Sequence, residues 1–166
     1  MSLDLLKRLG LFVVLCVVQI LVLNHIHLFN TAIPLLYIYF GITFRRNYPK
    51  WAILLWCFAL GLAIDVFSNT PGLAAGSMTL IGAIQPFLLE LFVPRDSFED
   101  LTVSIKSLGF GKFITFSAIL IIIFCLAFFA LEAFTFYNWT NWLTSAGSSA
   151  VLTLILILAI ESVRTR

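Results

Sequence analysis

Six long apolar runs, separated by short polar segments, dominate this chain of 166 residues. At a rise of about 1.5 Å per residue, a helix needs roughly 20 apolar residues to cross a hydrocarbon core about 30 Å thick. The pattern predicts an all-α membrane protein, one polytopic domain with six transmembrane helices. The predicted spans cover residues 9–23, 29–44, 51–67, 72–92, 113–136 and 142–160. Asn30, Thr31 and Pro34 interrupt the start of the second span, so five spans are the alternative count.

The longest polar segment, residues 93–112, joins the fourth and fifth predicted spans. Within it Phe98, Leu101, Ile105 and Leu108 recur at the spacing of one helix face. This spacing predicts a short helix lying in the cytoplasmic interface of the membrane. Such a helix is either a connector with its apolar side in the lipid or a docking site for a cytoplasmic partner.

Composition excludes a soluble enzyme and any large domain outside the membrane. Hydrophobic residues make up 61% of the chain and charged residues 11%, whereas about a quarter of the residues in a soluble domain are charged. The three cysteines lie in apolar runs, without the spacing of a disulfide framework or a zinc site. The sequence also lacks the motifs of phosphate-binding loops, zinc proteases and nucleophilic hydrolases. We therefore expect no catalytic residue, cofactor, metal or nucleic-acid partner.

The positive charges fall on alternate connecting segments. If the amino terminus is cytoplasmic, all the Lys and Arg residues lie on the cytoplasmic side, and the three predicted outer turns contain none. Because cytoplasmic loops of membrane proteins are enriched in Lys and Arg, this separation supports six spans with both termini in the cytoplasm. The basic residues are Lys7, Arg8, Arg45, Arg46, Lys50, Arg95, Lys106, Lys112, Arg164 and Arg166.

Acidic residues inside a bilayer are costly, so each is a candidate for function. Counted along their helices, Glu90, Glu132 and Glu161 fall near the far interface, where they can reach water. Asp65 lies about 21 Å into a core of roughly 30 Å. It is therefore predicted to be the only acid inside the helix bundle.

Asp65 precedes a tight turn with the sequence Asn69-Thr-Pro-Gly72. Proline and glycine supply the backbone angles that such a turn requires. One interpretation is structural: the carboxylate accepts hydrogen bonds from freed backbone amides or from Asn69 and Thr70. The other is a contact between Asp65 and a partner protein or ligand.

Small and polar residues mark further candidate contacts between helices. Gly72 and Gly76 open the fourth span at a spacing that lets helices approach closely, and Ser149 lies on a similar face of the sixth span. Pro86 is expected to bend the fourth span, and Gln85 beside it to form a hydrogen bond across the gap. Packing inside this chain and contact with a partner helix are both compatible with the pattern.

The run from Gly61 to Arg95, GLAIDVFSNTPGLAAGSMTLIGAIQPFLLELFVPR, resembles the rod shape-determining protein MreD family, in the form found in Bacteroidetes-like bacteria. The pattern that carries the resemblance is Gly-x-x-x-Asp at the end of the third span, then a turn into glycine, here Gly61, Asp65 and Gly72. The stretches 104–109 and 131–134 also resemble this family.

The resemblance implies a non-catalytic adaptor of the cell-elongation machinery in the bacterial inner membrane. Its partners would be membrane lipid and an MreC-like bitopic protein, and through that protein the MreB filament and peptidoglycan synthases. It also implies a fold similar to the S-components of energy-coupling-factor transporters, which gives the alternative function of capturing a vitamin for uptake. The outer turns of about five residues leave little material for a lid, which favours the adaptor. The candidate structural or interface residues are Gly61, Asp65, Asn69, Gly72, Gly76, Gln85, Pro86, Glu132 and Ser149.

Overall fold

A computed structural model describes residues 2–22, 25, 33–97, 100–133 and 139–166 of the chain. The regular secondary structure of these residues consists of helices, without strands. The helices are α1 (Leu3–Leu21), α2 (Ile38–Ile42), α3 (Lys50–Ser68), α4 (Leu73–Phe92), α5 (Ile105–Leu108), α6 (Phe110–Ala133) and α7 (Trp139–Arg164).

Four of these helices are long and apolar enough to cross a membrane. They are α3, α4, α6 and, within α7, Thr140–Arg164. The helix α1 has the same length as α3, 19 residues, but its first turns contain Asp4, Lys7 and Arg8. The chain therefore has the makeup of a multi-pass, all-α membrane protein, with four candidate spans in the part that the structure describes.

The second predicted span does not form one long helix in the part that the structure describes. Residues 33–44, called the central segment below, are helical only at Ile38–Ile42, and residues 29–32 lie outside the described residues. A five-residue helix is too short to cross a bilayer. Most of the central segment is nevertheless buried, including Leu35, Phe40 and Phe44. Its apolar side chains therefore pack in the protein interior. The sequence did not reveal this, because an apolar run alone does not distinguish a buried segment from a membrane span.

The long helices pack in a series around the central segment. The helices α3 and α4 form a hairpin with the most extensive contact, α4 packs on α6, and α6 packs on α7. At the other end of the series, α1 packs on α3. The helix α2 contacts α1, α3, α4 and α6, which places it in the middle of the bundle.

Aromatic side chains join the central segment to the helices around it. The ring of Phe40 lies 5.9 Å from Phe12 and 6.1 Å from Trp56, and the ring of Tyr37 lies 5.4 Å from Phe124. The Phe12 and Phe124 contacts are edge-to-face, an arrangement favoured by the charge distribution of aromatic rings. These contacts hold the central segment against α1, α3 and α6.

The connecting segment 93–112 contains a short helix, as the sequence predicts, but it covers only Ile105–Leu108. Ser104 and Ser107 form a reciprocal capping box at its start. Leu101, Ile105 and Leu108 pack against the hydrophobic core, while Phe98 lies outside the described residues. This part of the segment is tied to the bundle rather than free of it.

Candidate functional site

Asp65 joins the end of α3 to the start of α4. Its Oδ1 accepts a hydrogen bond from the Ala74 amide at 2.8 Å, and its Oδ2 accepts one from the Ala75 amide at 2.9 Å. The Thr70 hydroxyl also donates to Oδ1, at 3.1 Å. The first amides of a helix have no partner within the helix, and its amino terminus favours a negative charge. The hydrogen bonds predicted for Asp65 with freed backbone amides and Thr70 are therefore present.

The turn after Asp65 uses two left-handed backbone conformations. Asn69 has φ of 58° and Gly72 has φ of 83°. Asn is one of the few side chains that tolerate this region, and glycine has no Cβ to oppose it. The Asp65 carbonyl accepts hydrogen bonds from the amides of Asn69 and Thr70. Asn69 thus contributes its backbone geometry to the turn.

Gly61 allows α3 and α4 to touch along their backbones. A Cβ atom at this position would lie 2.5 Å from the Ala75 Cα and 2.6 Å from the Ala74 carbonyl oxygen. Both distances are shorter than a van der Waals contact. Gly61 and Asp65, four residues apart on one face of α3, therefore meet the same two residues of α4. The Gly-x-x-x-Asp pattern combines close approach with capping.

The other small residues occupy different environments. Gly76 is exposed, and an added Cβ would lie 3.3 Å from the Leu131 Cδ1 atom on α6. Ser149 is fully buried, and its Oγ accepts a hydrogen bond from the Ile33 amide at 3.1 Å. Of these two residues, Gly76 is the one that a partner helix could reach. Ser149 acts inside the chain.

Gln85 and Pro86 are buried in the middle of the bundle. The Gln85 Nε2 atom donates to the Phe44 carbonyl at 3.2 Å. This hydrogen bond connects α4 with the end of the central segment. Pro86 lies within α4, which continues past it to Phe92.

The backbone of the central segment is held by side chains from both ends of the chain. Gln19 donates to the Pro34 carbonyl at 3.0 Å and accepts from the Leu36 amide at 3.1 Å. On the other side, the Thr153 hydroxyl accepts from the Leu35 amide at 3.2 Å. Non-helical backbone at membrane depth needs protein partners because water is excluded there. Sequence reasoning missed Thr153, although a polar residue in an apolar helix was the available signal.

Glu161 is fully buried, so the prediction that it reaches water is wrong. The Tyr39 hydroxyl donates to its Oε2 at 2.6 Å, and the Ile105 amide donates to its Oε1 at 3.4 Å. The Arg164 Nη1 atom lies 3.6 Å from Oε2 and also donates to Tyr39, at 3.1 Å. Depth counted along one helix failed here because other segments cover the carboxylate. Asp65 is therefore not the only acid held inside the bundle.

A cavity of about 340 Å³ lies beside the Asp65 turn. Its lining is mostly apolar, with polar side chains from His25, Ser68, Thr70 and Glu132. The buried Tyr37 side chain also lines it, and its hydroxyl finds no hydrogen-bond partner within the described residues. Glu132 therefore lines this cavity and is not among the residues that form the hydrogen bonds of the Asp65 turn.

Comparison of the chain with known protein families, characterised proteins and solved structures finds no match. Among the residues that the structure describes, no group of three or more His, Cys, Asp and Glu side chains is arranged to hold a metal ion. Asp65 and Glu161 are each engaged in hydrogen bonds within the chain. The site chemistry found here is that of helix capping and backbone support.

Proposed function

We propose that this chain is a non-catalytic adaptor of the MreD type in the bacterial inner membrane, with both termini in the cytoplasm. It binds an MreC-like bitopic protein and thereby organises the MreB filament and the peptidoglycan synthases of the side wall. The observation that carries the proposal is the resemblance of the segment from Gly61 to Arg95. The hydrogen bonds and close packing of Gly61 and Asp65 give that motif a physical role, the shaping of the α3–α4 hairpin.

The surface of α4 offers a face on which a partner helix can pack. Gly76, Leu80, Ala83 and Phe87 are exposed and follow one another at helical spacing. Small residues between larger ones let two helices approach closely, which is a main source of association in lipid. We propose that this face, called the α4 face, receives the membrane helix of the MreC-like partner.

Substituting Ala83 tests the proposal, because Ala83 is exposed and lies at the middle of the α4 face. Ala83→Leu should reduce recovery of the MreC-like partner from detergent extracts by about tenfold, the effect of a steric cost of about 1.4 kcal/mol, and cells carrying it should become round. Ala159→Leu is the matched control, since Ala159 is also exposed but lies on α7. Normal partner recovery and rod shape with Ala83→Leu would exclude the α4 face. Rod-shaped cells after depletion of the whole chain would exclude the adaptor function.

The alternative is a vitamin-capturing S-component, and the cavity beside the Asp65 turn is the observation that favours it. Its volume of about 340 Å³ lies in the range of small-molecule sites, and the Tyr37 hydroxyl offers a hydrogen bond inside it. In that case a vitamin should raise the melting temperature of the purified protein, and Tyr37→Phe should reduce the rise. Depleted cells would then lose uptake of that vitamin and keep their shape.

A further inference from the structure

A second cavity, of about 500 Å³, lies between the first turns of α1 and the last turns of α7. The two helices lie at opposite ends of the packing series. Residues of α2 and of the segment that follows it line the space between them. Polar and charged side chains make up much of the cavity lining, and apolar side chains make up the rest. The charged residues are Asp4, Lys7, Arg8, Arg45 and Arg164, and the apolar wall residues are Leu11, Ile160 and Val163.

The charge in this cavity is strongly positive. Four cationic side chains and one carboxylate line it. Asp4 pairs with Arg45 at 3.1 Å, and Arg164 pairs with Glu161, a buried residue outside the cavity lining, at 3.6 Å. Two positive charges remain after both carboxylates are counted. Lys7 makes no ion pair within the described ranges and is exposed.

The arginines are held in place before any ligand arrives. The guanidinium of Arg8 lies 4.5 Å from the centre of the Phe44 ring and 4.3 Å from that of Tyr48. A guanidinium that stacks on rings keeps its edge N–H groups available for an oxyanion. Arg164 is held by its hydrogen bond to Tyr39. Such preorganisation lowers the entropic cost of binding a ligand.

The walls indicate that the ligand is an amphiphile. Leu11, Ile160 and Val163 continue from the charged end along α1 and α7, and exposed Val14, three residues after Leu11 on the same side of the helix, extends the apolar surface of α1. Basic pockets between membrane helices bind the phosphate groups of anionic lipids, with the acyl chains following the helices. We propose that this cavity binds the phosphate headgroup of an anionic phospholipid, with Lys7 and Arg8 as its principal contacts and its acyl chains along the α1–α7 cleft. This inference is independent of the adaptor function.

The experiment compares phosphatidylglycerol with phosphatidylcholine, each added to the purified full-length chain in detergent, with retention measured by native mass spectrometry and thermal stability in parallel. Phosphatidylglycerol should be retained more strongly and should raise the melting temperature. Each Lys or Arg near an anionic headgroup contributes about 1 kcal/mol, so Lys7→Gln should weaken binding about fivefold and the double variant Lys7→Gln/Arg8→Gln about 20- to 30-fold. Asp4→Asn removes the carboxylate that pairs with Arg45 and should strengthen binding, which tests the site without removing a cation.

Lys112→Gln provides the matched control, because Lys112 is also basic and exposed but lies at the start of α6. It should leave lipid retention unchanged. Equal losses with Lys112→Gln and Lys7→Gln would show attraction to net charge alone and overturn the site. Equal retention of both lipids would also overturn it. If inorganic phosphate alone raises the melting temperature as much as phosphatidylglycerol does, the ligand is a soluble anion and the lipid proposal is wrong.

Discussion

The α3–α4 hairpin and the central segment are buried in the same bundle, but their backbones are stabilised by different kinds of partner. In the hairpin, the Asp65 carboxylate bonds amides nine and ten residues further along the chain. In the central segment, the amides of Ile33 and Leu35 donate to hydroxyls 116 and 118 residues away. The hairpin is therefore a local unit, whereas the central segment depends on helices from both ends of the chain.

An irregular backbone in an apolar interior needs hydrogen-bond partners from other parts of the protein. A helix satisfies its own amides and carbonyls except at its ends, so the hairpin needs one carboxylate at one helix start. A non-helical segment does not form these hydrogen bonds within itself, so its amides and carbonyls need several partners from other parts of the protein. Gln19 alone provides both a donor and an acceptor to it.

The largest expected effect comes from separating the two helices of the hairpin. Gly61→Ala places a Cβ atom 2.5 Å from a backbone atom of α4, which cannot move aside as a side chain can. We expect a loss of about 3 kcal/mol in the free energy of unfolding, measured by denaturant titration in micelles. Gly111→Ala is the control, because an added Cβ there meets nothing within 4 Å. Equal stability of the two variants would contradict the backbone contact.

Removing the carboxylate of Asp65 should have the next largest effect. Asp65→Leu leaves the amides of Ala74 and Ala75 without an acceptor, and we expect a cost of about 2 to 3 kcal/mol in the free energy of unfolding. Asp65→Asn keeps one acceptor oxygen and should cost about half as much. The amount of each variant in the membrane provides a second measurement. A Leu variant that accumulates normally but loses its partner would make Asp65 an interface residue.

Gln19 is the corresponding test of the central segment. Gln19→Met is similar in volume but removes the hydrogen bonds to Pro34 and Leu36, and should cost about 1 to 2 kcal/mol in the free energy of unfolding. Gln85→Met is the matched control, since Gln85 makes one hydrogen bond to the same segment. We expect a smaller loss for Gln85→Met. A larger loss at Gln85 would place the main support of the segment on α4 instead of α1.

The smallest effect on stability is expected from single cysteines introduced at the surface. Their labelling shows on which side of the membrane the ends of the two regions lie. In the predicted topology Ser68, at the end of the hairpin helix α3, faces outward and Asn47, after the central segment, faces the cytoplasm. A cysteine at position 68 should react with an impermeant thiol reagent added outside, and one at position 47 should not. The three native cysteines are buried and give a low background. Labelling of position 47 from outside would contradict the predicted orientation.

Hydropathy predicts the helices whose ends carry clear local signals. The third and fourth spans, predicted at 51–67 and 72–92, appear as Lys50–Ser68 and Leu73–Phe92. Their shared boundary is visible in the sequence because Asn69 and Gly72 favour the left-handed region. The role of Asp65 follows from the same local reasoning, since its partners lie in the next turn and helix.

The central segment and Glu161 could not be placed in this way. A buried apolar segment and a lipid-facing helix have the same composition, and only distant partners distinguish them. Pro34 signals a break in the second span, but nothing near it reveals that Gln19 and Thr153 supply the hydrogen bonds. Glu161 was misplaced for the same reason, because Tyr39 and Ile105 cover it from elsewhere in the chain.

The hydroxyls of Ser149 and Thr153 have a consequence for the order in which the protein is made. A ribosome completes Ile33 and Leu35 more than 100 residues before it reaches the side chains that accept their hydrogen bonds. During synthesis those amides need another partner, such as water, until Ser149 and Thr153 have been made. The helix α7, made more than 100 residues later, therefore completes the hydrogen bonds of the central segment. A chain truncated before α7 would keep the hydrogen bonds of Gln19 and Gln85 to this segment but would lose the acceptors of the Ile33 and Leu35 amides.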